Sequence, residues 1–155
     1  MIRSILLLLA LSMSVYAWGP AYAAGPVILA PAPGTPADTV ARAALAQDLA
    51  EAARSGEKPL VLVGQARLGR PTDRAALFVQ LQSARECGSA GCATSVLVWS
   101  PQGWRRVLDG ASGAITVAAT RHNGWADLAA ATEHYVWTGQ SYRNARPVPN
   151  PRLSR

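Results

Sequence analysis

Apolar and polar positions change rhythm along the chain, and each rhythm predicts a different element. Residues 5–11, Ile-Leu-Leu-Leu-Leu-Ala-Leu, form one unbroken apolar run. The apolar positions of residues 36–55 are mainly alanine, with only Val40, Leu45 and Leu49 large. That stretch is helical by propensity and carries a thin packing stripe. Thr35 is placed to cap it, Pro36 fits the first helical position, Asp38 suits the first turn, and Gly56 stops it. After Pro59 the rhythm becomes short β-type runs: Leu60–Val63, Ala75–Gln82, Ala93–Trp99, Trp104–Leu108, Ala114–Ala119, Ala126–Thr132, Tyr135–Thr138 and Ser141–Arg143. In Ala75–Gln82, Leu77, Val79 and Leu81 alternate with Phe78, Gln80 and Gln82, which predicts one buried face. Turn chemistry separates the runs at Arg67–Asp73, Ser100–Gly103, Asp109–Gly113, Asn123–Gly124 and Gly139–Gln140. The predicted fold class is α+β: an N-terminal helix, then an antiparallel β-meander of about seven or eight short strands.

The two ends read differently from this middle. Arg3 precedes the apolar run, and Ala21-Tyr22-Ala23 fits the small-x-small rule, so residues 1–23 predict a secretory signal peptide cleaved near Ala23. The run is too short for a spanning helix, which needs roughly 20 apolar residues, and Gly19-Pro20 interrupts it. No transmembrane segment is expected in the mature chain. Residues 24–36 hold four prolines, which exclude a helix or an inner strand, and predict a mobile, extended leader. Residues 144–155, with three prolines and three arginines, predict a disordered basic tail. Residues 37–143 then form a single α+β domain. The predicted location is periplasmic or secreted.

Composition narrows the classes of function. One chain of 155 residues, nearly a third of it outside that domain, excludes a multi-domain enzyme, a repeat array and a polytopic membrane protein. Fourteen Arg and one Lys face nine acids, so the chain is basic before and after the loss of Arg3. Nucleic acid is a poor partner: an exported protein rarely meets it, and no basic-aromatic platform is visible. Arg105, Arg106, Arg143, Arg146, Arg152 and Arg155 suit an anionic envelope polymer or lipid head group, or simply a solvated surface.

Three groups of residues carry candidate chemistry. Cys87-Gly88-Ser89-Ala90-Gly91-Cys92 lies between two strand candidates, and an even cysteine count in an exported chain predicts a Cys87–Cys92 disulfide across a hairpin. Its C-x4-C spacing argues against a C-x-x-C redox site. The set Cys87, Cys92, His122 and His134 lacks the histidine spacing of zinc modules, so no metal and no cofactor are expected. His134 reads as a strand-face residue. The densest polar stretch is Thr120 to Leu128. Arg121, His122 and Trp125 are the candidate binding residues there, as an exposed corner rich in the side chains that carry binding energy. The plainer reading has Trp125 covering a sheet edge, Asp127 capping the turn and Arg121 in solvent. His122 with Asp127 is the only acid–base pair in view, with Ser89 or Ser95 as nucleophile. No G-x-S-x-G motif accompanies them.

The block from about Leu77 to Arg143 resembles a group of poorly characterised exported bacterial proteins. They pair a C-G-x-x-G-C hairpin with an R-H-x-G-x-x-D-L turn and a closing W-x-G-x-x-Y. Here those are Cys87 to Cys92, Arg121 to Leu128, and Trp137 to Tyr142. The last two segments are also similar to a degenerate FG-GAP (VCBS) blade, and such hairpin modules are distantly similar to periplasmic lysozyme-inhibitor or immunity proteins. The acids of an FG-GAP calcium loop are reduced to Asp127 beside Asn123, so calcium is not implied. A basic inhibitor is also poorly matched to basic lysozymes. The expectation is therefore a small exported binding protein, leaning away from enzyme, whose partner is an unidentified protein or an anionic envelope component. The alternatives are a small envelope hydrolase using His122 and Asp127, or a structural module of a secreted assembly.

Overall fold

The computed structural model describes residues 24–145, so the expected signal segment and most of the expected tail lie outside the described residues. The elements in chain order are β1 (Gly25–Pro26), α1 (Pro36–Ala44), α2 (Ala46–Arg54), β2 (Leu60–Ala66), β3 (Ala76–Gln82), β4 (Cys87–Gly88), β5 (Gly91–Ser100), β6 (Gly103–Ser112), β7 (Ile115–His122), β8 (Trp125–Ala130), β9 (Glu133–Trp137) and β10 (Tyr142–Asn144). The class is α+β and mostly antiparallel, but among the described residues the expected single helix is two and the strands number ten.

The helical start follows the local rule. Thr35 adopts an extended backbone and its Oγ1 accepts from Asp38 N at 3.2 Å. Asp38 in turn accepts from Arg42 Nε at 2.9 Å, and that guanidinium holds the Asp38 carboxyl below its ordinary range. The break falls at Leu45 (φ −102°, ψ 15°), although Leu45 N still donates to Ala41 O and Leu49 N to Leu45 O. Leu45 is buried there. The kink lies at a large side chain of the packing stripe, which Val40 and Leu49 share with several alanines. Gly56 N donates to Ala53 O and Glu57 N to Ala52 O, which closes α2 where Gly56 predicted the stop.

Two sheets and the helices make three layers. One sheet runs β2-β3-β5, with β6 on the far side of β5 and β4 at its start; the other runs β1-β7-β8-β9-β10. Leu77, Val79 and Leu81 of β3 join Ala41, Leu45, Val61, Val63 and Leu97 under the helices. Ala76 and Phe78 join Val96, Val98, Ile115, Val117, Leu128 and Trp137 between the sheets. Both faces of β3 are therefore buried, not the one that its alternation predicts. Gln80 tolerates this position because its Nε2 donates to Thr94 Oγ1 at 2.8 Å.

The leader is extended, as its prolines require, but it is pinned rather than mobile. Gly25 and Pro26 pair with Val117 and Thr116 at the sheet edge, where a proline is tolerated. Val27 N donates to Ile115 O at 2.8 Å, and Ala30 exchanges both backbone bonds with Val63. The strap thus ties one sheet to the other. It crosses so close that a methyl group on Gly64 would lie 2.7 Å from Ile28 O.

β6 also departs from expectation. It continues through Asp109–Ser112, where a turn was predicted, because a register irregularity between Thr94 and Leu97 absorbs the mismatch. Asn144 belongs to β10 and pairs with Tyr135, so the expected tail loses its first residue to the sheet.

Candidate functional site

The β7–β8 hairpin organises one end of the molecule. Its two-residue turn places Asn123 at φ 48° and Gly124 at φ 80°, the left-handed pair that favours Asn-Gly. Arg121 donates to Gly124 O at 2.7 Å, and Asn123 Nδ2 donates to Trp137 O at 2.8 Å, so the turn is braced within itself and against β9. Trp125 stacks on Trp137 with ring centroids 4.3 Å apart, and Trp137 meets Tyr142 edge-on at 5.1 Å. Tyr142 donates its buried hydroxyl to Ala126 O at 2.6 Å. Burial first, and the nearby Asp127 charge second, push that phenol well above its ordinary value.

Asp127 does not cap the turn. It is fully buried, and His122 Nδ1 lies 2.8 and 2.9 Å from its two oxygens. His134 Nε2 approaches Oδ2 at 3.5 Å from the other side. The strand register explains the meeting: His134 is opposite Ala129, two residues from Asp127, and His122 is opposite Trp125, again two residues away. A carboxylate only accepts, so in this contact it is His122 Nδ1 that donates. Both imidazoles are about half exposed (52% and 46%), forming a cover over a buried anion. The sequence reading joined His122 with Asp127 but treated His134 as an ordinary face residue. It is a face residue, and it completes the cluster.

A nucleophile is not supplied by either serine considered with that pair. Ser95 lies in the other sheet and donates to Asp109 Oδ1 at 2.6 Å. Ser89 is at the tip of the cysteine hairpin. Cys87 and Cys92 form the disulfide and pair across β4 and β5, so they are not thiolate ligands beside the histidines. Among the described residues no group of three or more His, Cys, Asp or Glu side chains is arranged to hold a metal ion.

A groove of about 540 Å³ opens beside the hairpin turn, between it and residues 70–74. Asn123, Gly124 and Trp125 contribute one wall; Arg70, Asp73, Arg74 and Trp99 contribute much of the rest. His122 and Asp127 are not part of its lining. The three candidate binding residues therefore do different things: Trp125 lines the groove, His122 covers Asp127, and Arg121 is an exposed brace of the turn.

The loop that forms the opposite wall is fixed by its own side chains. Arg67 donates to Pro71 O at 2.6 Å and to Asp73 O at 3.1 Å. Asp73 Oδ2 accepts from Arg70 N at 2.8 Å, and Ala126 N donates to Leu68 O, which ties the loop to β8. Gly69 lies against Trp125: a methyl group there would sit 3.1 Å from the ring and collide with the Asp73 carboxylate. Trp99 is 44% exposed, with the Arg74 guanidinium 4.4 Å from its ring centroid and Trp104 edge-on at 5.7 Å. Sequence reasoning took residues 67–73 as turn chemistry and Trp99 as strand, and missed this wall. The available signal was Trp99 at the last turn of an alternating strand, with arginines on both sides of a tight loop.

No protein-family profile, no curated protein and no solved structure matches this chain. Among the described residues no helix is long and apolar enough to cross a membrane.

Proposed function

We propose that this is a small exported binding protein, periplasmic or secreted, that holds its partner at the groove between residues 70–74 and the Asn123–Gly124 turn. The supporting observation is the loop from Arg67 to Asp73, closed by Arg67 and docked on Trp125. It presents Arg70 beside Arg74 and the β5 residue Trp99, on a frame already ordered before binding. Preorganisation of that kind lowers the entropic cost of association, and Trp and Arg are the side chains that most often anchor interfaces. The disulfide suits an oxidising compartment. Inhibitor- or immunity-like action, which the family resemblance implies, is a special case of this reading.

The test is capture from envelope extract at physiological salt with the oxidised protein and with a Trp99→Leu/Arg74→Gln variant of unchanged thermal stability. A stoichiometric partner retained by the wild type and lost by the variant supports the reading. Equal retention by both removes the groove from it.

The His122–Asp127 contact favours a second reading, a small hydrolase of envelope material. A buried carboxylate that fixes the tautomer of a half-exposed imidazole is an acid–base arrangement. Neither serine considered for it stands ready as nucleophile, so this reading requires an activated water. Hydrolysis of envelope polymers that His122→Ala abolishes, with the partner still captured, would move it ahead of the binding reading.

A further inference from the structure

We infer that the groove beside Trp99 is a binding site for an acidic carbohydrate, a glycan whose sugar rings carry carboxylates; this rests on the binding reading above and names its ligand class. Two arginines and one acid are in its lining; Asp73 is paired with the backbone N and the guanidinium of Arg70, which leaves the Arg74 guanidinium as the excess cation. The groove is therefore biased toward anions. Guanidinium groups recognise carboxylates through paired, planar hydrogen bonds.

The aromatic surface selects among anions. Trp125 is packed between Trp137 and Gly69, and Trp99 carries Arg74 over its ring and Trp104 at its edge. What Trp99 leaves to solvent suits the C–H face of a sugar ring. Thr72 and Asn123 beside it add polar groups suited to hydroxyls. An acidic peptide is a poorer occupant. A peptide that docks by backbone pairing needs free main-chain groups, whereas the carbonyls of Pro71 and Asp73 and the amide of Arg70 are taken within the loop.

The probe is a hexuronic-acid tetramer, followed by tryptophan fluorescence and equilibrium dialysis at physiological salt. Its methyl ester and tetraglutamate serve as controls. The expected result is saturable binding of the tetramer, weaker by about tenfold or more for the ester and for each of Arg74→Gln and Trp99→Leu, as loss of a charge-assisted contact or a stacking surface predicts. The thermal midpoints of both variants show whether they are folded. Arg70→Gln, at a side chain 81% exposed, is the second variant should either fail to fold. Absence of binding to the tetramer, equal binding of the ester or tetraglutamate, or unchanged affinity in folded variants overturns the carbohydrate assignment. If the envelope partner is still lost from the Trp99→Leu/Arg74→Gln variant in that case, the binding reading stands and only its ligand class falls.

Discussion

Two loops of this molecule are held shut by different means. The hairpin of Cys87 and Cys92 is closed by a covalent bond, and its tip lies against the β6–β7 turn, where Gly91 and Gly113 come so close that a methyl group on Gly91 would be 3.0 Å from Gly113 Cα. The loop of residues 67–73 is closed by hydrogen bonds, chiefly from the Arg67 guanidinium and to the Asp73 carboxylate, and it lies against Trp125. The covalent closure is a structural brace where one sheet passes into the other. The non-covalent closure leaves two arginines at a groove lined with indoles. A disulfide draws the eye in a sequence, yet the loop with the richer recognition chemistry is the one with no conspicuous motif.

The comparison breaks most sharply at Gly69. Replacement by Val drives a branched side chain into Trp125 and the Asp73 carboxylate. A loss of about 3 kcal/mol in unfolding free energy is expected, the upper end of overpacking costs, together with loss of partner binding. Urea denaturation and the capture assay read the two effects. Full binding in a Gly69→Val protein would mean that the loop's seat on Trp125 is irrelevant to the groove.

Removing the disulfide by a Cys87→Ser/Cys92→Ser change should cost about 2 kcal/mol by the chain-entropy account of so small a loop. Affinity at the groove should not move. A stability loss with intact binding separates brace from binding site. Lost binding in a folded double variant would return the cysteine loop to the recognition surface. Arg67→Met tests the other closure. With its two acceptors, Pro71 O and Asp73 O, left to water, a stability loss of about 1 kcal/mol is expected. Binding should weaken roughly threefold to tenfold, because the loop must then be ordered on association. The opposite signatures of these two variants are the comparison in measurable form.

What was legible in the sequence follows the range of the interactions. The helix start at Thr35 and Pro36, the Asn123–Gly124 turn and the Cys87–Cys92 pair each depend on residues within a few positions, and each is where its local chemistry predicts. The helix break at Leu45 and the pinned leader depend on partners in distant strands, as Ala30 does on Val63. Composition alone made that leader look mobile. β3 looked half-buried because alternation reports one face, while helices on one side and a second sheet on the other bury both. The candidate site divides the same way. His122 and Asp127 are five residues apart and were joined on sight. His134 joins them only through the β8–β9 register, and Arg74, in the loop before β3, meets Trp99 only because β3 pairs with β5.

The smallest effect expected is on alkaline stability, and it bears on the aromatic stack behind Trp125 rather than on the cysteine brace. Burial, then the hydrogen bond and charge of Glu133, raise Tyr135 from an ordinary value of 10.0 to about 12, and burial with the Asp127 charge raises Tyr142 in the same direction. Both phenols are held neutral in the folded protein at a pH where the unfolded chain would ionise them. Their contribution to stability is fully present below pH 10 and is lost as pH rises toward about 12. Tyr142 bonds Ala126 beside the Trp125–Trp137 stack, so its ionisation should loosen that stack, while the disulfide hairpin has no such group. Tyrosinate absorbance and tryptophan fluorescence followed together above pH 10 should therefore show delayed ionisation that coincides with loss of the stacked indole signal. Tyr142→Phe should keep that signal to higher pH at a modest cost near neutrality, about 1 kcal/mol for one lost hydrogen bond. Identical alkaline profiles for Tyr142→Phe and wild type would place the sensitive element elsewhere.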